Sequence, residues 1–204
     1  MSEIEEAKRS YHHGNLKKVI IDTALRMLAE NNGWQFTLRE VARRAEVSHA
    51  APYKHFQDKN SLLAELALIG FDQLRTELTK ALKLVEGMTP TDRFFIAGKT
   101  YIQFGLTNPS LYKLMFSAEA NTESSQVHLD ERAMSALGVL LEVLESGQNQ
   151  KEFKRRDLND QTAACWAQVH GLTMLSIDGL MFKEKVGENA IDGALKTLLE
   201  GLKA

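Results

Sequence analysis

The chain has 204 residues, 44% of them hydrophobic and 25% charged, with a formal net charge of -2. That suffices for a buried core in one or two domains of ordinary size. Three prolines and thirteen glycines are too few for an all-β fold, which needs a turn every ten residues or so.

The apolar pattern is helical almost throughout. In Leu16–Leu28, Leu16, Val19, Ile20, Ala24, Met27 and Leu28 recur at three- and four-residue spacing, the stripe of an amphipathic helix. Asn31-Asn32-Gly33 stops it, because Asn and Gly tolerate the left-handed conformation at a helix end. Thr37-Leu38-Arg39-Glu40 is a capping box that opens a short helix from Leu38 to about Ala45. Glu46-Val47-Ser48 interrupts it, and Ser48 caps a second short helix expected to reach about Phe56. Asp58 or Asn60 then caps a long helix from about Ser61 to Val85. Thr89-Pro90 starts the next, to about Leu106, with proline in the first turn where its missing N–H does no harm. Asn108-Pro109-Ser110 starts a shorter one through Phe116, and 120–126 reads as a loop. Val127–Leu144 is helical, 146–156 is a polar connection, Leu158–Phe182 is a long helix, and Ala190–Leu202 closes the chain. The expected fold class is all-α with about nine helices, divided into a head (1–60) and a body (61–204).

Charge is distributed unevenly along this frame. Residues 8–60 hold ten Lys/Arg against five acids, and also His12, His13, His49 and His55. A basic head on an acidic body points to a polyanion partner. Within the head, two short helices joined by a tight turn behind a longer one form a helix-turn-helix pattern. A major groove about 12 Å wide accepts one such helix, whose first turns face base edges and phosphates. Small residues at the start of the second helix allow close approach, and Tyr53, Lys54 and His55 supply phosphate donors.

The runs Phe36-Thr37-Leu38-Arg39-Glu40-Val41-Ala42, Ala45-Glu46-Val47-Ser48, Tyr53-Lys54-His55-Phe56 and Asp58-Lys59-Asn60-Ser61-Leu62 resemble the DNA-binding domain of TetR/AcrR-type regulators. The match covers about residues 11–65. Trp166, His170 and Gly171 fit the Trp–His–Gly signature of one subgroup's C-terminal domain. The resemblance implies a ligand-responsive regulator, most often a repressor, that binds a palindromic double-stranded DNA operator as a dimer and is released by a small-molecule effector. By the same resemblance, Arg39 contacts a base or phosphate, and Ser48, His49, Ala50 and Ala51 form the base-reading edge. Tyr53, Lys54, His55 and Lys59 contact phosphates. Pro52 departs from the leucine of many relatives, so the residue that leads the helix into the groove depends on where that helix starts.

Other candidates are weighed on their chemistry. His12 and His13, adjacent on a helix, would point about 100° apart and cannot easily share a metal; Lys8–His13 suits a DNA-facing arm instead. The single E-x-x-H of Glu46–His49 lacks the second unit of a di-iron site. Trp166 and His170, one turn apart, are either packed core or, with Phe104 and Tyr112 from the aromatic-rich middle, the wall of an effector pocket. Cys165 reads as a small buried hydrophobe. Helix 158–182 is apolar around most of its circumference and so needs two partners: the body core, and a second subunit that helix 190–202 also meets.

No H-E-x-x-H, G-x-S-x-G or Walker A pattern is present, so a non-enzymatic protein without cofactor or metal is expected. An activator or nucleoid-type binder with the same head, and a helical carrier or enzyme, are the alternatives. No apolar run approaches the roughly 20 residues of a membrane span. The acidic Met1–Ala7 has no secretory h-region, and one cysteine fits a reducing compartment; a cytoplasmic location is expected.

Overall fold

The computed structural model describes residues 16–30 and 33–204. They form nine α-helices, one of them a single turn, two 3-10 turns, and no strand beyond an isolated bridge between Phe153 and Lys203. The head comprises α1 (Leu16–Glu30), α2 (Leu38–Arg44) and the 3-10 turn Pro52–Lys54. The body follows with α3 (Lys59–Leu84), α4 (Pro90–Thr107), α5 (Pro109–Met115), α6 (Glu131–Asn149), α7 (Leu158–Ile177), α8 (Lys183–Val186) and α9 (Ala190–Leu202).

Helix starts follow local chemistry. Thr37 Oγ1 accepts from the Glu40 amide at 3.2 Å, while the Thr37 amide donates to the Glu40 carboxylate at 2.7 Å. Asp58 and Ser61 repeat the arrangement at the start of α3. This settles Asp58 as the cap in place of Asn60. Hydrogen bonds from the Thr37 backbone and side chain hold the exposed Glu40 carboxyl below its usual range.

Helix α3 is the long axis of the molecule. Its buried leucines close the head core with Ile20, Leu28 and Val41, and its later turns pack against α4, α5 and α6. Arg132, at the start of α6, donates from Nε to Asp72 at 2.7 Å and pairs with Glu65 at 3.3 Å. Glu65 in turn pairs with Lys17 of α1 at 3.5 Å. These partly exposed pairs add modest stability, but they place one charge network across head, connecting helix and body.

Three expected helices differ, and the one expected over Val127–Leu144 opens as a 3-10 turn at Val127–Leu129 and is α-helical over Glu131–Asn149. Ser48–Phe56 is not α-helical: Ala51 N–H donates to Ser48, and Lys54 and His55 close a 3-10 turn over Pro52–Lys54. Pro52 has no N–H to continue an α-helical ladder, so it stands at the first position of a tighter, shorter turn. Helix 158–182 ends at Ile177. Gly179 adopts φ +68°, and the amides of Gly179 and Leu180 bond back to Ser176 and Leu175, a Schellman stop. The apolar run Leu180-Met181-Phe182 continues the pattern but not the helix.

Candidate nucleic-acid interface and effector cavity

The head presents residues 48–55 as an exposed turn. Ser48, His49, Ala50, Tyr53, Lys54 and His55 are exposed, whereas Ala51 and Pro52 face inward and Phe56 anchors the turn in the core. Helix α2 lies behind it, docked through Leu38, Val41 and Ala42, which leaves Arg39 and Arg43 on its outer side. Glu46, at φ +55°, ends α2: its amide and that of Val47 bond to the carbonyls of Arg43 and Ala42. This left-handed residue reverses the chain between α2 and the turn. Two short elements joined by this reversal carry cations and imidazoles outward, suited to phosphates and groove edges.

The body encloses a cavity between α3, α4, α6 and α7. A water-sized sphere finds about 100 Å³ of room in it, less than the ~300–1,000 Å³ of common ligand sites, and the space opens to solvent. Helix α3 contributes Phe71, Leu74 and Leu78, while α4 contributes Phe94, Ala97, Gly98 and Tyr101. Trp166 Nε1–H donates to Tyr101 Oη at 3.3 Å, Tyr112 Oη–H donates to Tyr101 Oη at 2.9 Å, and Tyr112 Oη also shares a 2.8 Å hydrogen bond with His170 Nδ1. Phe116 packs against this network, its centroid 4.5 Å from that of His170 and 5.1 Å from that of Tyr112.

Residues 20–66 match the family model for bacterial regulatory proteins of the tetR family, and residues 94–202 match that for the tetracyclin repressor-like C-terminal domain. The chain belongs to the TetR family. Among solved structures it is similar to a protein of unknown function from Rhodococcus sp. RHA1, at 29% identity and TM-score 0.82 over 95% of this chain and 98% of that one. It shares the fold of the TetR family transcriptional regulator PfmR from Thermus thermophilus (19%, TM-score 0.66, 91% and 99% covered). It also shares that of FadR from Bacillus subtilis, solved with stearoyl-CoA (17%, TM-score 0.70, 92% and 98% covered). No curated protein matches it in sequence. As a TetR-family member it is a ligand-responsive, DNA-binding transcription regulator and not an enzyme.

The sequence-predicted residues of this TetR-family regulator fall in three groups. Arg39, Ser48, His49, Ala50, Tyr53, Lys54 and His55 are exposed on the head, but Ala51 is 4% exposed and belongs to its core. With Pro52 beside it, Ala51 packs inward immediately before the 3-10 turn. Lys59 is half-buried, its Nζ 5.8 Å from the Phe36 ring centroid. Trp166 lines the cavity, and Tyr112 and His170 stand behind it through hydrogen bonds. Phe104 does not line it: α4 meets the cavity from Phe94 to Tyr101, and Phe104, a turn further on, is swallowed by the core. His128, not predicted, joins the wall from the 3-10 turn Val127–Leu129. The Lys8–His13 arm and the His12–His13 pair lie outside the described residues.

Burial sets the protonation states around the cavity. It pushes the Tyr101 hydroxyl and the Cys165 thiol up to about 12 each, and the Tyr112 hydroxyl further up. His170 is held below 6.5 by burial first and by His128 second. Below pH 6.5 the unfolded chain therefore binds more protons at this site than the folded one. The contribution of neutral His170 is complete above pH 6.5 and is lost as pH falls towards the lowered folded value. Urea midpoints should fall between roughly pH 7.5 and 5.5, and His170→Gln should make that decline shallower. An identical slope in the variant would remove His170 from the account.

Proposed function

We propose that the chain is a homodimeric cytoplasmic repressor whose two heads bind an inverted-repeat operator, and which leaves the DNA when a small molecule enters the body cavity. One observation carries this reading. Helix α3 runs unbroken from its Asp58 cap in the head to Phe71, Leu74 and Leu78 in the cavity wall. A ligand that displaces these residues tilts a rod whose other end carries the head core. An effector can weaken DNA binding only by preferring a body in which the heads no longer fit the operator.

The dimer surface is assigned to the outer faces of α7 and α9. Helix α7 buries Cys165, Val169 and Leu172 inward and leaves Ala163, Ala164 and Ala167 exposed. On α9, Leu195, Leu199 and Leu202 turn into the chain's own core, Ile191 and Leu198 are half-buried, and the exposed side carries Gly193, Lys196, Thr197, Glu200 and Gly201. The alanines of α7 and the two glycines of α9 permit close approach of a second copy. Gly171, where an added Cβ meets nothing within 4 Å, lies towards this face and not inside a helix contact. The spacing of Trp166, His170 and Gly171 supports placement in the Trp–His–Gly subgroup.

Two identical heads spaced one helical turn apart would read a palindrome. The test is an anisotropy titration of the purified protein against duplexes from its own upstream region and against random duplex at physiological salt. Preference for one inverted repeat by about 10³-fold is expected, with a molecular mass in solution of twice 22.9 kDa. Equal binding of random duplex, or a monomer at all concentrations, overturns the reading.

A further inference from the structure

We propose that the body cavity takes an uncharged, apolar molecule bearing one hydroxyl or carbonyl group, and rejects the acid and the amine of the same skeleton. The inference rests on the reading of this cavity as the effector site.

No Asp, Glu, Lys or Arg lines the cavity, and only Tyr101, His128, Cys165 and Trp166 bring polar atoms to an otherwise aliphatic and aromatic wall. Most of those atoms are already committed. Trp166 Nε1–H and Tyr112 Oη–H both donate to Tyr101 Oη, which leaves the Tyr101 O–H hydrogen as a donor. His128 Nε2–H donates to the Met115 carbonyl at 2.9 Å, so in the neutral imidazole Nδ1 is the acceptor. Cys165 holds its proton, so its thiol adds no charge. The wall thus offers one free donor, one free acceptor and no countercharge.

A hydroxyl matches both of the free groups and a carbonyl matches Tyr101. A carboxylate or an ammonium would surrender its hydration with no opposite charge to meet it. Volume restricts the choice further. The room available to the centre of a water-sized sphere is about 100 Å³, against ~10–15 Å³ for a single water. That is room for several non-hydrogen atoms.

The full-length protein is loaded with N-phenyl-1-naphthylamine, and its fluorescence is displaced at neutral pH by 1-decanol, decanoate or decylammonium. These probes share one chain and differ in headgroup charge. Decanol should displace at a concentration at least about tenfold lower than either ion. Either ion matching decanol, or no displacement by any of the three, overturns the proposal. Tyr101→Phe keeps the ring but removes the donor together with the acceptor shared by Trp166 and Tyr112; decanol affinity relative to that of naphthylamine should fall by at least about threefold. An unchanged ratio would overturn the assignment of the free donor. Operator release is followed in the same samples. Decanol preference without release of duplex leaves the ligand class standing and overturns the effector role; failure to bind operator at all overturns the regulatory reading alone.

Discussion

Lys54→Glu should lower operator affinity by at least about 100-fold at low salt, because placing a like charge against a phosphate costs several kcal/mol and a dimer makes the change twice. Lys54 is exposed on the Pro52–Lys54 turn and forms no ion pair among the described residues. Its replacement therefore should leave the thermal midpoint unchanged, which separates loss of binding from loss of folding. The salt dependence supplies a second readout. Each phosphate that the variant no longer neutralises flattens the slope of log K against log[salt] by about 0.9, and a dimer has one such phosphate in each half-site. Affinity within threefold of the parent, or an unaltered slope, would show that the turn does not face the backbone of the duplex.

Gly147→Val should destabilise the fold by about 3 kcal/mol, the upper end of the usual cost of overpacking. Helix α6 ends at Asn149, and Lys151, at φ +60°, turns the chain back so that the amides of Glu152 and Phe153 both donate to the Gly147 carbonyl at 3.0 Å. Phe153 is thereby laid against the helix it has just left. A Cβ at position 147 would stand 2.0 Å from Phe153 Cδ2 and 2.4 Å from Cε2. The ring has little freedom to withdraw: it is 2% exposed and meets Phe94 edge-on at 6.1 Å. Lys154 donates to the Leu202 carbonyl just beyond, tying the loop to the end of α9. At ~2–4 °C per kcal/mol for a chain of this size, the midpoint should drop by about 6–12 °C. Gly138→Ala is the control on the same helix: nothing lies within 4 Å of its added Cβ, so it should be neutral or stabilising by up to about 1 kcal/mol. Equal stability of Gly147→Val and the parent would show that Phe153 is not held against α6.

Much of the architecture was legible where neighbouring residues decide it. The Thr37–Glu40 box, the Asp58 cap, and proline at the starts of α4 and α5 act within one turn of chain, and the structure has each of them. The stop of α7 was also written locally, in Asp178-Gly179, but the apolar residues beyond it continued the helical period and concealed it. The turn at 48–55 failed for a related reason. The spacing of Ser48, Tyr53 and Phe56 suits an α-helix, and one absent N–H at Pro52 is enough to tip a segment this short into a 3-10 turn.

What only the tertiary structure decided is which large side chains border a void. Phe94, Phe104, Tyr101 and Tyr112 are indistinguishable as core aromatics in the sequence, yet Phe94 and Tyr101 line the cavity, Tyr112 supports it and Phe104 does not touch it. His128, expected inside a helix from Val127, arrived from a 3-10 turn ahead of it. Helix type and helix ends follow from interactions a few residues apart, so they can be read along the chain. A cavity is the space that four helices fail to fill, and its wall depends on crossing angles and on close approaches such as Gly98 against Leu195 or Gly105 against Thr173, partners separated by many residues that meet only when the chain has folded.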